Sequence, residues 1–189
     1  MDEHEVEYTE AITRRESGQA ETVSANRGWW DREASDYLTE HGSFLGDADL
    51  VWGPEGWSED DLHVLGDPAE LAGRRVLEFG GGGAQGARWC AARGATVVST
   101  DLSGGMLATA RLLDARTPGP APALAQADAT RLPFADACFD VVFSAYGATP
   151  FVADSAGLML ELARVLRPGG LLAFSTSHPI RWAFPDVPG

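Results

Sequence analysis

Residues 74–89 read RRVLEFGGGGAQGARW. A short apolar run, Val76 to Phe79, breaks into four glycines, Gly80 to Gly83, and a further glycine follows at position 86. Such a pattern is a strand-to-helix turn whose bare backbone exposes amides and lets a ligand approach closely. Two registers fit it. Gly81, Gly83 and Gly86 form G-x-G-x-x-G, and Asp101 follows twenty residues after Gly81, the spacing of a dinucleotide fingerprint. Glu78, Gly80 and Gly82 form E-x-G-x-G instead. An acid at the next strand end suits any nucleoside ribose, so Asp101 does not choose between the registers. Glu78 does choose, because a carboxylate in a strand body costs free energy unless it is used. It would attract an ammonium group and repel a pyrophosphate. Capping of loop amides is its other available role.

Outward from this turn, strands and helices alternate. Strands are expected at 76–79, 96–100, 124–127, 140–145 and 171–177, and helices at 84–92, 105–115 and 155–166. The apolar runs are continuous rather than alternating, as in a parallel sheet covered on both faces. The expected fold is therefore α/β: a Rossmann-like, doubly wound, mostly parallel sheet with helices on both faces. In such sheets ligands bind beyond the carboxyl ends of the strands.

The segment before Arg74 has a different texture. Residues 1–24 are polar and acidic and are expected to form a flexible tail. Residues 25–70 form an expected helical cap segment, and 71–189 the sheet domain. Within the cap, Trp30, Ala34, Tyr37 and His41 recur at helical spacing, with a stop at Gly42, and Ser58 and Asp61 resemble a capping box.

Composition narrows the function. The 189 residues carry a formal net charge of −14, which disfavours nucleic acid and anionic membranes as partners. All 14 basic residues are arginine, so lysine chemistry is excluded. Cys90 and Cys138 lack metal or disulfide spacing, which suits a reducing cytoplasm and no metal. No apolar run approaches a membrane span, and the acidic start is not a secretory signal.

Four motifs in order, VLEFGGGG, VVSTDLSGGML, QADATRLPFADACFDVV and LARVLRPGGLLAFST, carry a resemblance over 74–177. The sequence resembles class I S-adenosylmethionine-dependent methyltransferases, in particular the group acting on small molecules. Ala84 stands where the family's loop usually has its third glycine, and Gly81 where a larger residue is common. The resemblance implies that Glu78, Gly80, Gly81 and Gly82 hold the methionine end of the cofactor. It gives Asp101 the ribose hydroxyls, Leu102 and Met106 the adenine faces, and Asp128 with Ala129 the adenine edge. Ser144, Ala145 and Tyr146 would face the sulfonium, with Gly147 beside the substrate entrance. Trp30 and Tyr37 would belong to a lid, or else simply pack the added helix on the sheet. Tyr146 and His178 stand where a base could act, and no catalytic residue is assigned.

The resemblance implies methyl transfer to a small molecule by in-line displacement. A nicotinamide-dependent oxidoreductase and a catalytically weak, methyltransferase-like binding fragment are the alternatives. Relatives of this type usually add two antiparallel edge strands after the fifth. The last residues, HPIRWAFPDVPG, hold three prolines and are expected not to supply them. Either the chain is a truncated form or the sheet edge is left open and could pair with another molecule.

Overall fold

A computed structural model describes residues 17–178 and Ile180. Its elements run α1 (Gln19–Leu45), α2 (Glu59–Leu62), β1 (Arg75–Phe79), α3 (Gln85–Ala92), β2 (Thr96–Asp101) and α4 (Gly104–Arg116), followed by β3 (Ala123–Gln126), β4 (Phe139–Ser144), α5 (Ser155–Val165) and β5 (Leu166–Phe174). The strands form one sheet in the order β3-β2-β1-β4-β5, with every pairing parallel. The order reverses direction at β1, so the crevice that opens at a switch point lies beyond its carboxyl end.

Side chains alternate across β1 and divide the core in two. Val76 packs with Trp89, Cys90, Val97 and Phe143 on the α3 side, whereas Leu77 and Phe79 pack with Leu158, Leu162 and Val165 of α5 on the other. Glu78 shares the face of Val76, which places a carboxylate under the amino end of α3. All six residues of β4 are buried, as a central strand covered on both faces requires.

Three expected boundaries shift. Helix α1 starts at Gln19, inside the stretch read as an acidic tail, and passes through Gly42 to end at Leu45. Gly46 stops it instead, with a left-handed φ of 65° and its amide donating to the Gly42 carbonyl at 3.0 Å. Helix α5 runs straight into β5 at Leu166. Leu166 pairs with Phe139 and Leu171 with Val141, so residues 167–170, RPGG, bulge out opposite Asp140. Arg167 pairs with Asp140 across that bulge. Finally, β5 ends at Phe174, and the Ser175 amide still donates to the Ser144 carbonyl at 3.0 Å. The Ser58–Asp61 cap forms as read: the Ser58 hydroxyl accepts from the Asp61 amide at 3.2 Å and donates to its carboxylate at 2.6 Å. Of the closing HPIRWAFPDVPG, all but His178 and Ile180 lie outside the described residues. Among the described residues no helix is long and apolar enough to cross a membrane.

Candidate functional site

A cavity of about 390 Å³ opens beyond the carboxyl ends of β1 to β4 and is roofed by α1. Its floor is the glycine turn. Gly80 and Gly82 adopt left-handed φ values of 60° and 53°, a conformation other residues enter at a cost of roughly 1–2 kcal/mol. Ala84 adopts it as well, at φ 59°. A Cβ on Gly80 would also stand 2.6 Å from the Ala148 backbone nitrogen. Gly80→Ala is therefore expected to destabilise the fold by about 2 kcal/mol or more, read as a lower urea midpoint at unchanged slope.

Gly86 proves to lie within α3, where its missing side chain allows close packing. A Cβ there would fall 2.7 Å from Glu78 Oε1 and 2.9 Å from Leu50. The G-x-G-x-x-G register is thus closed by a packing glycine in a helix.

Glu78 is 4% exposed, and the Ser99 hydroxyl donates to its Oε2 at 2.6 Å. Burial pushes its carboxyl up to about 7, against the opposing effects of the Ser99 hydrogen bond, the Arg88 charge and the Ala87 amide. Glu78 accepts from the Ala87 amide of α3, not from the loop, and it lines the cavity.

Asp101 sits at the end of β2. The Gly82 amide donates to its Oδ2 at 2.8 Å and the Ser103 amide to its Oδ1 at 2.8 Å. Burial raises its pKa, partly offset by the backbone amides of Ser103, Gly82 and Leu102. Each oxygen keeps acceptor capacity beyond these bonds. Asp128, past β3, accepts from the Thr130 amide at 2.9 Å and the Thr130 hydroxyl at 2.8 Å, both through Oδ1. Glu78, Asp101 and Asp128 thus mark three successive strand ends around one space.

The remaining expected residues divide unevenly. Gly81, Leu102, Met106, Ala129, Ala145, Tyr146, Gly147, Trp30 and Tyr37 all line the cavity. Ser144 does not: it is fully buried, and its carbonyl is committed to Ser175. His178 does not line it either, and its Nδ1 accepts from the Ile180 amide at 3.2 Å. Tyr146 takes a left-handed φ of 57°, and its hydroxyl lies 2.9 Å from that of Ser177. Burial, aided by the nearby Tyr146, raises the pKa of Tyr37.

The sequence reading missed how α1 is fastened. Asp31 accepts from the Ser103 hydroxyl at 2.6 Å and the Gly105 amide at 2.9 Å. Asn26 donates to the Phe151 carbonyl at 2.6 Å, and Gln19 donates to Thr130 Oγ1 at 3.2 Å and to Asp128 at 3.4 Å. Trp30 meets Phe151 edge-on at 5.6 Å and Tyr37 at 5.8 Å. Gln19, Val23, Asn26, Trp30, Tyr37, His41 and Phe44 recur at intervals of three, four or seven. That single helical face was the available signal, and its polar members are what an apolar-periodicity reading overlooks.

A family model described as a methyltransferase domain matches residues 77–174. A demethylmenaquinone methyltransferase of Mycobacterium sp. (strain KMS) is 44% identical over 113 residues, which is 59% of this chain and 46% of that protein. The chain spans about half the length of the curated relatives it matches. A solved S-adenosylmethionine-dependent methyltransferase from Mesorhizobium loti is 37% identical with a TM-score of 0.52, covering 59% of this chain and 49% of the other. A Haemonchus contortus phosphoethanolamine N-methyltransferase, solved with phosphomonomethylethanolamine and S-adenosylhomocysteine, is 29% identical with a TM-score of 0.61, covering 78% of this chain and 35% of the other.

Proposed function

The chain belongs to the methyltransferase-domain family, and on that premise we propose that it transfers a methyl group from S-adenosylmethionine to a small-molecule acceptor. The observation that carries this reading is the ring of three acids, Glu78, Asp101 and Asp128, at successive strand ends around one cavity. Those acids match the three polar parts of the cofactor: an ammonium, a ribose diol and an adenine amino group. They would repel a pyrophosphate, which disfavours the nicotinamide alternative. The bare turn also fits, since a Cβ on Gly82 would crowd Met106 at 2.9 Å beside the adenine subsite.

In this reading Glu78 and the backbone of Gly80, Gly81 and Gly82 hold the amino-acid end. Asp101 accepts from both ribose hydroxyls, Leu102 and Met106 clamp the adenine, and Asp128 with Ala129 reads its edge. Ala145 and Tyr146 border the reacting centre, and Trp30 and Tyr37 close over it from α1. When bound, the cofactor supplies an electrophilic methyl on a sulfonium. The chain's own part is to orient it and exclude water, which is the larger share of catalysis for a displacement with a good leaving group. Two unpaired cysteines, one of them buried, suit the reducing cytoplasm that belongs to the same proposal.

Calorimetry with S-adenosylmethionine, S-adenosylhomocysteine and NAD tests it. The first two are expected to bind and NAD is not; binding of NAD alone would overturn the reading. Asp101→Ala is expected to weaken binding of both sulfur ligands by roughly 1–3 kcal/mol, the loss of charge-assisted hydrogen bonds in a buried site. Unchanged affinity would refute the ribose role.

A further inference from the structure

The cavity is larger than its acidic strand-end half. Beyond Glu78 it extends between the second half of α1, the 49–54 segment and the loop after β4. Tyr37, His41, Phe44, Val51, Pro54 and Tyr146 wall this outer part. The rings are set against one another: His41 meets Tyr37 edge-on at 4.6 Å, and the Tyr146 hydroxyl lies 2.9 Å from that of Ser177. Flat apolar faces with hydroxyls at their edge suit a planar, ring-bearing ligand.

Its electrostatics are one-sided. The chain has no lysine, so apart from histidine only arginine could supply a cation. Among the described residues none of the arginines lines the cavity, whereas Asp49, Glu78, Asp101 and Asp128 do. An acceptor carrying a carboxylate or phosphate would enter a space whose described walls offer acids and no guanidinium to pair with it, so its lost hydration would go uncompensated there. A cationic acceptor would face the sulfonium of the cofactor.

Resting on the proposed methyl transfer, we propose that the acceptor is an uncharged, ring-bearing small molecule seated against Tyr37, His41, Phe44 and Tyr146. The reading concerns the outer pocket alone and adds a selectivity that cofactor binding does not require.

Three phenols that share a ring and carry a neutral, an anionic or a cationic para substituent test it: 4-ethylphenol, 4-hydroxyphenylacetate and tyramine. Each is titrated calorimetrically into the full chain saturated with S-adenosylhomocysteine. 4-Ethylphenol is expected to bind at least about tenfold more tightly than 4-hydroxyphenylacetate and, with sinefungin in place of S-adenosylhomocysteine so that a cation stands where the sulfonium would, at least about tenfold more tightly than tyramine. His41 is half exposed, so a longer cation is accommodated there. His41→Arg is expected to raise affinity for 4-hydroxyphenylacetate several-fold and narrow the gap. Failure of 4-ethylphenol to bind best, or no gain for the carboxylate in His41→Arg, overturns the inference while leaving the cofactor reading intact. If S-adenosylhomocysteine itself does not bind, both readings fall.

Discussion

Glu78→Gln is expected to be more stable than the parent chain at pH 8 by about 3 kcal/mol, with the difference vanishing below pH 4.5. The carboxyl of Glu78 titrates near 7 in the fold, against 4.5 as its ordinary value. Between those values the native state holds a proton that the unfolded chain has released. Stability therefore falls as pH rises through this window, and the full cost is present above it. Glutamine keeps an oxygen that can accept from Ser99 and carries no charge to desolvate. Urea midpoints of the two proteins from pH 4 to 8 measure the effect, and parallel curves would remove the assignment.

Ligand binding works in the opposite direction at the same residue. If Glu78 meets the ammonium of S-adenosylmethionine, the ionised form is the one that binds. Affinity of the parent chain is then expected to rise with pH up to about 7 and level off, whereas Glu78→Gln should bind weakly with a flat profile. The same variant would thus gain stability and lose affinity, a pairing that a purely structural acid would not produce.

Arg88→Met is expected to cost about 3–5 kcal/mol of stability, the usual effect of removing one partner of a buried charge pair. Arg88 is only 3% exposed, yet it serves four acceptors from separate parts of the chain. Its Nε donates to the Asp47 carbonyl at 2.6 Å, and Nη1 donates to the Asp114 carboxylate at 2.8 Å and the Ala110 carbonyl at 3.4 Å. Nη2 donates to the Gly83 carbonyl of the glycine turn. Methionine fills much of the same volume but leaves Asp114 and three carbonyls without this donor. Chemical denaturation at pH 7.5 measures the loss, and the double variant Arg88→Met with Asp114→Leu should recover part of it. The guanidinium also favours the ionised form of Glu78. Its removal should raise that carboxyl further and move the pH-sensitive window upward.

Much of the sheet domain was legible because its signals are local. Val76 to Phe79, Thr96 to Asp101 and Phe139 to Ser144 are apolar or β-branched runs, and breakers stand between them. The acids at strand ends were legible for the same reason: Glu78 is out of place in its run, and Asp101 and Asp128 terminate theirs. The proline and glycines of RPGG were legible only in part: α5 ends just before them, at Val165, but nothing local announces their place in a strand. In the fold they form a bulge within β5, and Arg167 is held there by Asp140, a residue on another strand.

Ser144 shows the same limit at the site. Its place at the end of β4 made it a cavity candidate by sequence, but the Ser175 amide claims its carbonyl. Nothing near residue 144 in the chain announces that partner. Gly86 is the converse case: on paper it closes the G-x-G-x-x-G register, and only its packing against Glu78 and Leu50 shows what a side chain there would disturb.

By itself the sequence determined the parallel sheet, the glycine turn and the acids that ring it, because hydrophobic period, backbone restriction and strand termination act over a few residues. The tertiary structure decided what covers and fastens the site. Asp31 reaching Ser103, Asn26 reaching Phe151 and Gln19 reaching Asp128 and Thr130 join residues far apart in the chain. Each such bond contributes only about 1 kcal/mol and leaves no periodic trace in composition. Their partners are therefore fixed only once the sheet has brought its strand ends beneath α1.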